Sequence, residues 1–300
     1  MTKLLRTCII GLGEIARHHS LGLRHSPLFQ LVSACDTNPH AVSRKEYDDV
    51  PFYTSLDRML EEVKPDVAVV ATPPASHFDI LSVCEAHGVY ALIEKPLAAD
   101  RDEINQLLAS LIKGKCNIIY HWVFSQEILW FKHNVRVNHA RKFRFRVEDP
   151  YTDSHGQIIP SRRIMGGCWI DSGINVLSVL SLWMDDISSL KLVNICHNRD
   201  AEGTPVETHA EFRSGEMEVE VDISWKTGRN FKETVVWIDD KEYILHHSSQ
   251  AVSLNGKTIF KDTGLDRLDR HYYNFYSLYP ASIVSTETTR IIHRILLENQ

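Results

Sequence analysis

The first 120 residues alternate short apolar runs with amphipathic stretches. Positions 4–10, 28–35, 67–71, 89–93 and 117–120 are mainly apolar, 67–71 continuously so, and read as strands. Positions 14–24, 55–63, 80–87 and 101–111 carry apolar residues at helical spacing. Strands buried on both faces and separated by helices predict a parallel sheet covered on both sides. A doubly wound Rossmann domain is therefore expected over 1–121.

After residue 121 the pattern changes. One helix is predicted over 168–183, followed by strand-like runs at 190–197, 206–213, 217–225, 231–238 and 242–246. Ser214-Gly215, Thr227-Gly228 and Asp239-Asp240 separate these runs with turn chemistry. Residues 266–300 return to helix, interrupted near Pro280. The whole is read as an α/β protein whose second domain, 122–300, is α+β with a mostly antiparallel open sheet.

Composition narrows the function classes. The 300 residues are 43% hydrophobic and 24% charged, enough to bury a full core without disulfides or metals. A net charge of −6 argues against nucleic acid as a partner. The one basic cluster, Arg141, Lys142, Arg144 and Arg146, alternates with Phe143, Phe145 and Val147 and reads as a strand with a solvated face. No apolar stretch reaches the roughly 18 residues of a membrane span. The N-terminus runs directly into a strand with no cleavage region, so a cytoplasmic protein is expected. Cys8, Cys35, Cys84, Cys116, Cys168 and Cys196 are scattered and contain no CxxC pair, as in a reduced chain. Among the 16 histidines, His18-His19 and His246-His247 are adjacent and face different ways, and no HExxH occurs. No metal site is expected.

The chemistry begins at Gly11-Leu12-Gly13-Glu14-Ile15-Ala16, which follows the first strand and opens the first helix. The first glycine permits a tight turn, the second lets a pyrophosphate approach the backbone, and Ala16 lets helix and strand pack closely. The helix N-terminus faces the phosphates. Asp36 ends the second strand, 20 residues beyond Ala16, where a carboxylate accepts the adenosine ribose hydroxyls. A 2′-phosphate would meet like charge there, and Thr37 brings no compensating arginine, so NAD is favoured over NADP. Asp36 in Thr37-Asn-Pro39 also fits a turn or helix cap.

Three further segments carry a resemblance. Ala71-Thr72-Pro73-Pro-Ala-Ser-His77 follows the fourth apolar strand, Glu94-Lys95-Pro96 the fifth, and Gly166-Gly-Cys-Trp-Ile-Asp171-Ser-Gly173-Ile-Asn175 opens the long helix of the second domain. In this order, with the glycine fingerprint, they resemble the glucose–fructose oxidoreductase/inositol dehydrogenase/MocA family over nearly the whole chain. The resemblance implies an NAD cofactor held by Gly11, Gly13, Glu14, Ile15, Ala16, Asp36, Thr37, Ala71, Thr72, Pro73, His77, Glu94 and Lys95. It also implies that Lys95 projects into the substrate pocket near the nicotinamide, with Pro96 cis.

Asp171 and Asn175 are four apart and share a helix face. Most family members have His where Asn175 stands, and that His serves in proton transfer; Asn can only hold a hydroxyl by hydrogen bonds. The Asp-x-Gly-x-Asn form resembles the family's aldose 1-dehydrogenases, which oxidise galactose or arabinose at the anomeric carbon. That hydroxyl is more acidic than a secondary alcohol and needs a weaker base. Lys95, Asp171 and Asn175 are the expected catalytic set. His121, Trp122 and Glu148 are further candidates for lining a sugar pocket, with core packing (Trp122) and a solvated surface position (Glu148) as the alternatives.

The leading expectation is an NAD-dependent aldose 1-dehydrogenase acting on a small sugar. The alternatives are a polyol or inositol-type dehydrogenase and a silent NAD-binding regulator. The strand at 217–225 alternates Met217, Val219, Val221, Ile223 and Trp225 with Glu216, Glu218, Glu220 and Asp222. Helices would cover one face only, and the resemblance supports association through the other, so a homo-oligomer, at least a dimer, is expected.

Overall fold

The computed structural model describes residues 3–43, 45–98, 101–281 and 284–299. The apolar runs of the first third become β1 (Leu5–Ile10), β2 (Phe29–Cys35), β4 (Val67–Val70), β5 (Tyr90–Glu94) and β6 (Cys116–Ile119), joined by the short β3 (Phe52–Tyr53). They form one parallel sheet in the order β3-β2-β1-β4-β5-β6. The crossovers are α1 (Ala16–His25), α2 (Leu56–Val63), α3 (His77–Ala86) and α4 (Arg101–Ile112). β3 has two residues, too few for any periodicity, and escapes a pattern search. The strand order reverses between β1 and β4, and in such sheets ligands bind beyond the strand ends at that switch point.

The second unit is built on an eight-stranded sheet. α5 (Gln126–Asn134) leads into β7 (Ala140–Glu148); α6 (Pro160–Arg163) and α7 (Ile174–Trp183) follow. The remaining strands are β8 (Lys191–Arg199), β9 (Pro205–Ser214), β10 (Met217–Ser224), β11 (Phe231–Ile238), β12 (Lys241–His246), β13 (Ala251–Leu254) and β14 (Lys257–Lys261). The order is β14-β13-β12-β11-β7-β10-β9-β8, antiparallel except where β7 and β10 run parallel. The sheet is mostly antiparallel because its strands follow one another through tight turns; β7 joins β10 only after a long crossover.

One face of this sheet is apolar. Phe143, Phe145 and Val147 of β7 and Val219, Val221 and Ile223 of β10 are buried there. Trp183 of α7 stacks on Phe143 and Phe145 at 5.7 and 6.2 Å between ring centroids. The other face carries the basic row of β7 opposite the acidic row of β10, with Lys142 bonded to Glu220 and Arg144 to Asp222. The basic cluster thus joins a cross-strand charge ladder in which Arg144 and Arg146 are exposed and Lys142 is half-buried.

The chain divides into two units, Met1–His121 with Leu268–Thr286 and Trp122–Arg267 with Glu287–Gln300. A boundary at residue 121 alone assigns α8 (Arg267–Leu278) to the sheet unit. Most of α8 instead belongs with the Rossmann sheet, because its aromatic face is buried there: Tyr276 lies edge-on to Phe29, and Tyr272 bonds to Glu94. α9 (Thr286–Glu298) falls in the second unit, where Leu296 O accepts from Trp169 Nε1 at 3.1 Å. Five of the six cysteines are buried thiols and Cys196 is exposed. No helix among the described residues is long and apolar enough to cross a membrane.

Candidate functional site

In the Rossmann unit the site is built at the carboxyl ends of β1, β2, β4 and β5. The chain turns at Gly11 with φ +86°, a conformation open to glycine. A Cβ there would lie 2.6 Å from Thr72 Cγ2 and 3.0 Å from the Ala71 backbone, so the neighbouring loop also excludes a side chain. Gly11 N donates to Cys35 O at 2.8 Å and Leu12 N to Asp36 Oδ2 at 2.7 Å. Asp36 Oδ1 accepts from Asn38 N at 2.8 Å. Asp36 therefore does form the turn, and each of its oxygens still keeps a lone pair that a ribose hydroxyl can use.

Gly13 differs from Gly11. An added Cβ would meet nothing within 4 Å, the open space that a backbone needs to receive a pyrophosphate. Glu14 is exposed, Ile15 half-buried and Ala16 buried at the start of α1. No side chain caps this helix and its first turn holds no acid, so its positive end is left for an anion. Thr37 and Pro73 are exposed, Thr72 is half-buried and Ala71 is buried. Ser76 Oγ donates to Thr72 Oγ1 at 2.8 Å and steadies the loop. These residues fit NAD.

Two residues expected to touch the cofactor serve the scaffold instead. His77 is fully buried, with Nδ1 2.9 Å from Leu97 O and Nε2 3.0 Å from Thr72 O. It clamps the β4 loop to the segment after β5, and burial lowers its pKa. Glu94 is also buried: Oε1 accepts from Tyr272 Oη at 2.6 Å and from His19 Nε2 at 3.0 Å, while Oε2 accepts from Lys95 N at 3.2 Å. Both oxygens face protein donors, so Glu94 holds the strand end that presents Lys95. Lys95 itself is half-buried and is followed by a cis peptide to Pro96. His121 is buried with Nδ1 3.1 Å from His271 Nδ1.

In the second unit, Gly166 and Gly167 have φ +77° and +94°, and a Cβ on Gly167 would lie 2.9 Å from Thr204 Cγ2. The glycine pair feeds a π-helical turn, Trp169–Gly173, which runs into α7. Such turns break the regular ladder and often mark functional positions. Gly173 is needed because a Cβ would come 2.8 Å from the Trp169 ring. Asp171 is 4% exposed and Asn175 7%. Asn175 Nδ2 donates to Asp171 O at 3.3 Å, while its Oδ1 is buried with no hydrogen-bond partner among the described residues.

The remaining candidates are corrected by the sheet. Glu148 belongs to the charged face of β7: Arg146 and Arg229 both bond to its carboxylate, and Arg229 first and then Arg146 lower its pKa against the opposing effect of burial. Both oxygens are engaged by arginines, on the face of the sheet opposite Phe143, Phe145 and Val147. Trp122 is 1% exposed and packs 4.8 Å from the His247 ring, a core position. His247 Nδ1 in turn bonds to Glu127 Oε1 at 2.7 Å and its Nε2 to Thr234 Oγ1 at 2.8 Å, a fully buried polar chain. The covered face instead holds Asp149 and Lys232, which sequence reasoning passed over. The signal was present: Lys232 falls in phase with Thr234, Val236 and Ile238, all buried.

Comparison with known proteins agrees with this geometry. Residues 5–121 match the family described as an oxidoreductase family with an NAD-binding Rossmann fold. Over that segment the chain is similar to the Gfo/Idh/MocA oxidoreductases. A curated member, UDP-N-acetylglucosamine 3-dehydrogenase of Acidithiobacillus ferrooxidans, is 30% identical over 105 residues, 35% of this chain and 32% of that one. The chain therefore matches about a third of that relative's length. The solved structure of a UDP-N-acetylglucosamine 3-dehydrogenase from the same organism superposes with a TM-score of 0.78 at 16% identity, over 99% of this chain and 96% of that one. GenD2 from gentamicin A biosynthesis, in complex with NAD, gives 0.79 at 16% identity over 99% and 93%. A myo-inositol dehydrogenase from Corynebacterium glutamicum gives 0.78 at 16% identity over 99% and 96%. These similarities carry the fold alone: a Rossmann sheet followed by a mostly antiparallel one.

Proposed function

We propose that this protein is an NAD-dependent sugar dehydrogenase that oxidises an aldose at the anomeric carbon to its lactone. The observation that carries this is Asn175. Its buried Oδ1 has no partner among the described residues, one helical turn from Asp171, where it offers an acceptor to a hydroxyl but no titratable proton site. An anomeric hydroxyl, more acidic than a secondary one, tolerates that substitution.

In this reading NAD accepts the hydride from the anomeric carbon. Lys95 is assigned the role of proton acceptor, and the Asp171–Asn175 turn that of holding a hydroxyl, in which Asn175 does not titrate. Asp36 selects NAD over NADP by setting its carboxylate where the 2′-phosphate would lie. The charge ladder, together with the half-buried Phe231 and Trp237 on the same face, supports association of two copies through the open sheet. Sedimentation at micromolar concentration tests this, and a monomer refutes it.

A second reading follows from the curated relative, whose name describes oxidation at a ring secondary alcohol. A panel of aldoses, UDP-N-acetylglucosamine and myo-inositol, followed by NADH formation, separates the two. Lactone from an aldose supports the first reading; a keto sugar from either of the others replaces it. No turnover with any of them favours a silent NAD-binding regulator.

A further inference from the structure

Lys232 is the second residue of β11, beside the end of β7, where it pairs with Val147 in antiparallel register. Its neighbours on the same face, Thr234 and Val236, are core residues, and Lys232 is only 6% exposed. Lysine is almost never buried to this degree unless paired. The pair is Asp149, two positions past Val147: Lys232 Nζ lies 2.5 Å from Asp149 Oδ1 and 2.9 Å from Asn230 Oδ1. Asn230 Nδ2 donates to the same Asp149 oxygen at 3.2 Å.

The groups that remain are informative. An ammonium has three protons, and Lys232 uses two of them. A carboxylate has two oxygens, and only Oδ1 of Asp149 is engaged by side chains. Among the described residues, the third Lys232 proton has no acceptor and Asp149 Oδ2 no donor. A buried ion pair serving stability alone gains little over apolar side chains and needs its remaining hydrogen bonds satisfied. This one is left half satisfied at the same end of the unit as the Asp171–Asn175 turn, and the Asp171 carboxylate acts on the Lys232 charge. Asn175 Oδ1 is buried without a hydrogen-bond partner among the described residues.

We propose that Lys232 and Asp149 form a hydroxyl-binding subsite, in which a secondary ring hydroxyl of the sugar accepts from Lys232 Nζ and donates to Asp149 Oδ2. A hydroxyl is the ligand that matches one free donor beside one free acceptor. The Arg267 charge also reaches this amine, but a carboxylate or phosphate bound to it would lie directly against Asp149, with Asp171 as a second like charge. Burial first, and the Arg267 charge after it, lower the Lys232 pKa, while Asp149 opposes the shift by its charge and its hydrogen bond. Neither residue takes the reacting proton; their work is to choose which sugar is held.

This inference rests on the sugar-dehydrogenase reading, and two measurements keep the two apart. The first is calorimetric binding of galactose, arabinose, glucose and xylose to the NADH-loaded protein, then of the 2-, 3-, 4- and 6-deoxy analogues available for the tightest binder. The second is NADH formation from the same sugars with NAD. Binding is expected to fall tenfold or more for one ring-deoxy analogue and little for the others, the loss that goes with a charged hydrogen bond. Lys232→Met should bind the parent sugar as weakly as wild type binds that analogue, and the discrimination should shrink to within about threefold. Lys232→Met strands a buried carboxylate. The Asp149→Asn/Lys232→Met double variant strands none and carries the same expectation. Discrimination unchanged in both variants, an even loss across all analogues, or no binding of any sugar overturns the subsite. Binding with the expected pattern but without turnover sustains the subsite and overturns the dehydrogenase reading.

Discussion

Tyr272 Oη donates a 2.6 Å hydrogen bond to Glu94 Oε1, joining helix α8 to the strand end that carries Lys95, 178 positions earlier in the chain. His19 Nε2 reaches the same oxygen, and His19 Nδ1 accepts from Tyr276 Oη at 2.7 Å. Burial raises the Tyr276 pKa well above its usual value, so that hydroxyl keeps its proton and serves as the donor. Hydrogen bonds to a charged, buried acceptor contribute about 1.5–3 kcal/mol each. Tyr272→Phe should therefore lower unfolding stability by about 2 kcal/mol in denaturant titration. Because Glu94 Oε2 also holds Lys95 N, turnover should fall more than NAD affinity does. Unchanged stability would mean that the link between α8 and β5 is dispensable.

Asp36 separates two jobs that one substitution can split. Its carboxylate holds Leu12 N and Asn38 N and also sets a negative charge at the ribose position. Wild type should use NAD at least tenfold better than NADP in kcat/KM, about 1.4 kcal/mol of discrimination. Asp36→Asn keeps an acceptor oxygen for the turn but removes the charge, so the ratio should narrow while the melting temperature changes little. Equal use of both cofactors by wild type would overturn the NAD assignment.

Lys95→Met should reduce turnover of the preferred sugar by about 100- to 10,000-fold, the usual effect of losing a general base. NAD binding, followed by fluorescence or calorimetry, should survive. Asn175→Ala should cost less in turnover and more in KM, because it removes orientation and not a proton acceptor. A Lys95→Met variant that turns over near the wild-type rate would show that the proton leaves by another route.

His293, in the core of α9, responds to pH. It is fully buried with Nδ1 2.9 Å from Thr289 O, and burial pushes its pKa down from 6.5 to about 4. The folded state holds it neutral while the unfolded chain takes a proton below pH 6.5. Its contribution is complete above pH 6.5 and is lost as pH falls toward 4, amounting to about 3 kcal/mol across that window. Denaturant titrations should show stability rising with pH through this range. His293→Leu should flatten that rise by about one proton's slope, and an unaltered slope would show that other groups govern it.

The cofactor half of the site was legible along the chain because its determinants are local. Gly11, Gly13 and Ala16 lie within one turn of each other, and each answers a steric demand of a strand–turn–helix unit. The strands of the parallel sheet announced themselves by being apolar on both faces. The Gly166–Asn175 segment was equally readable, although the π-helical turn inside it was not, because it depends on Trp169 packing against Gly173.

What only the tertiary structure decided is which face and which partner each polar residue meets. Glu148 and Asp149 are neighbours in sequence, yet the pleat sends Glu148 to the arginines on the charged face and leaves Asp149 to Lys232 on the covered one. His77, Glu94 and Trp122 sit in or beside recognisable motifs, but burial against distant residues turns them into scaffold. Local periodicity reports the spacing of apolar positions along one segment. It carries no record of a contact between a strand end at Glu94 and a helix at Tyr272, because only the folded chain closes that loop.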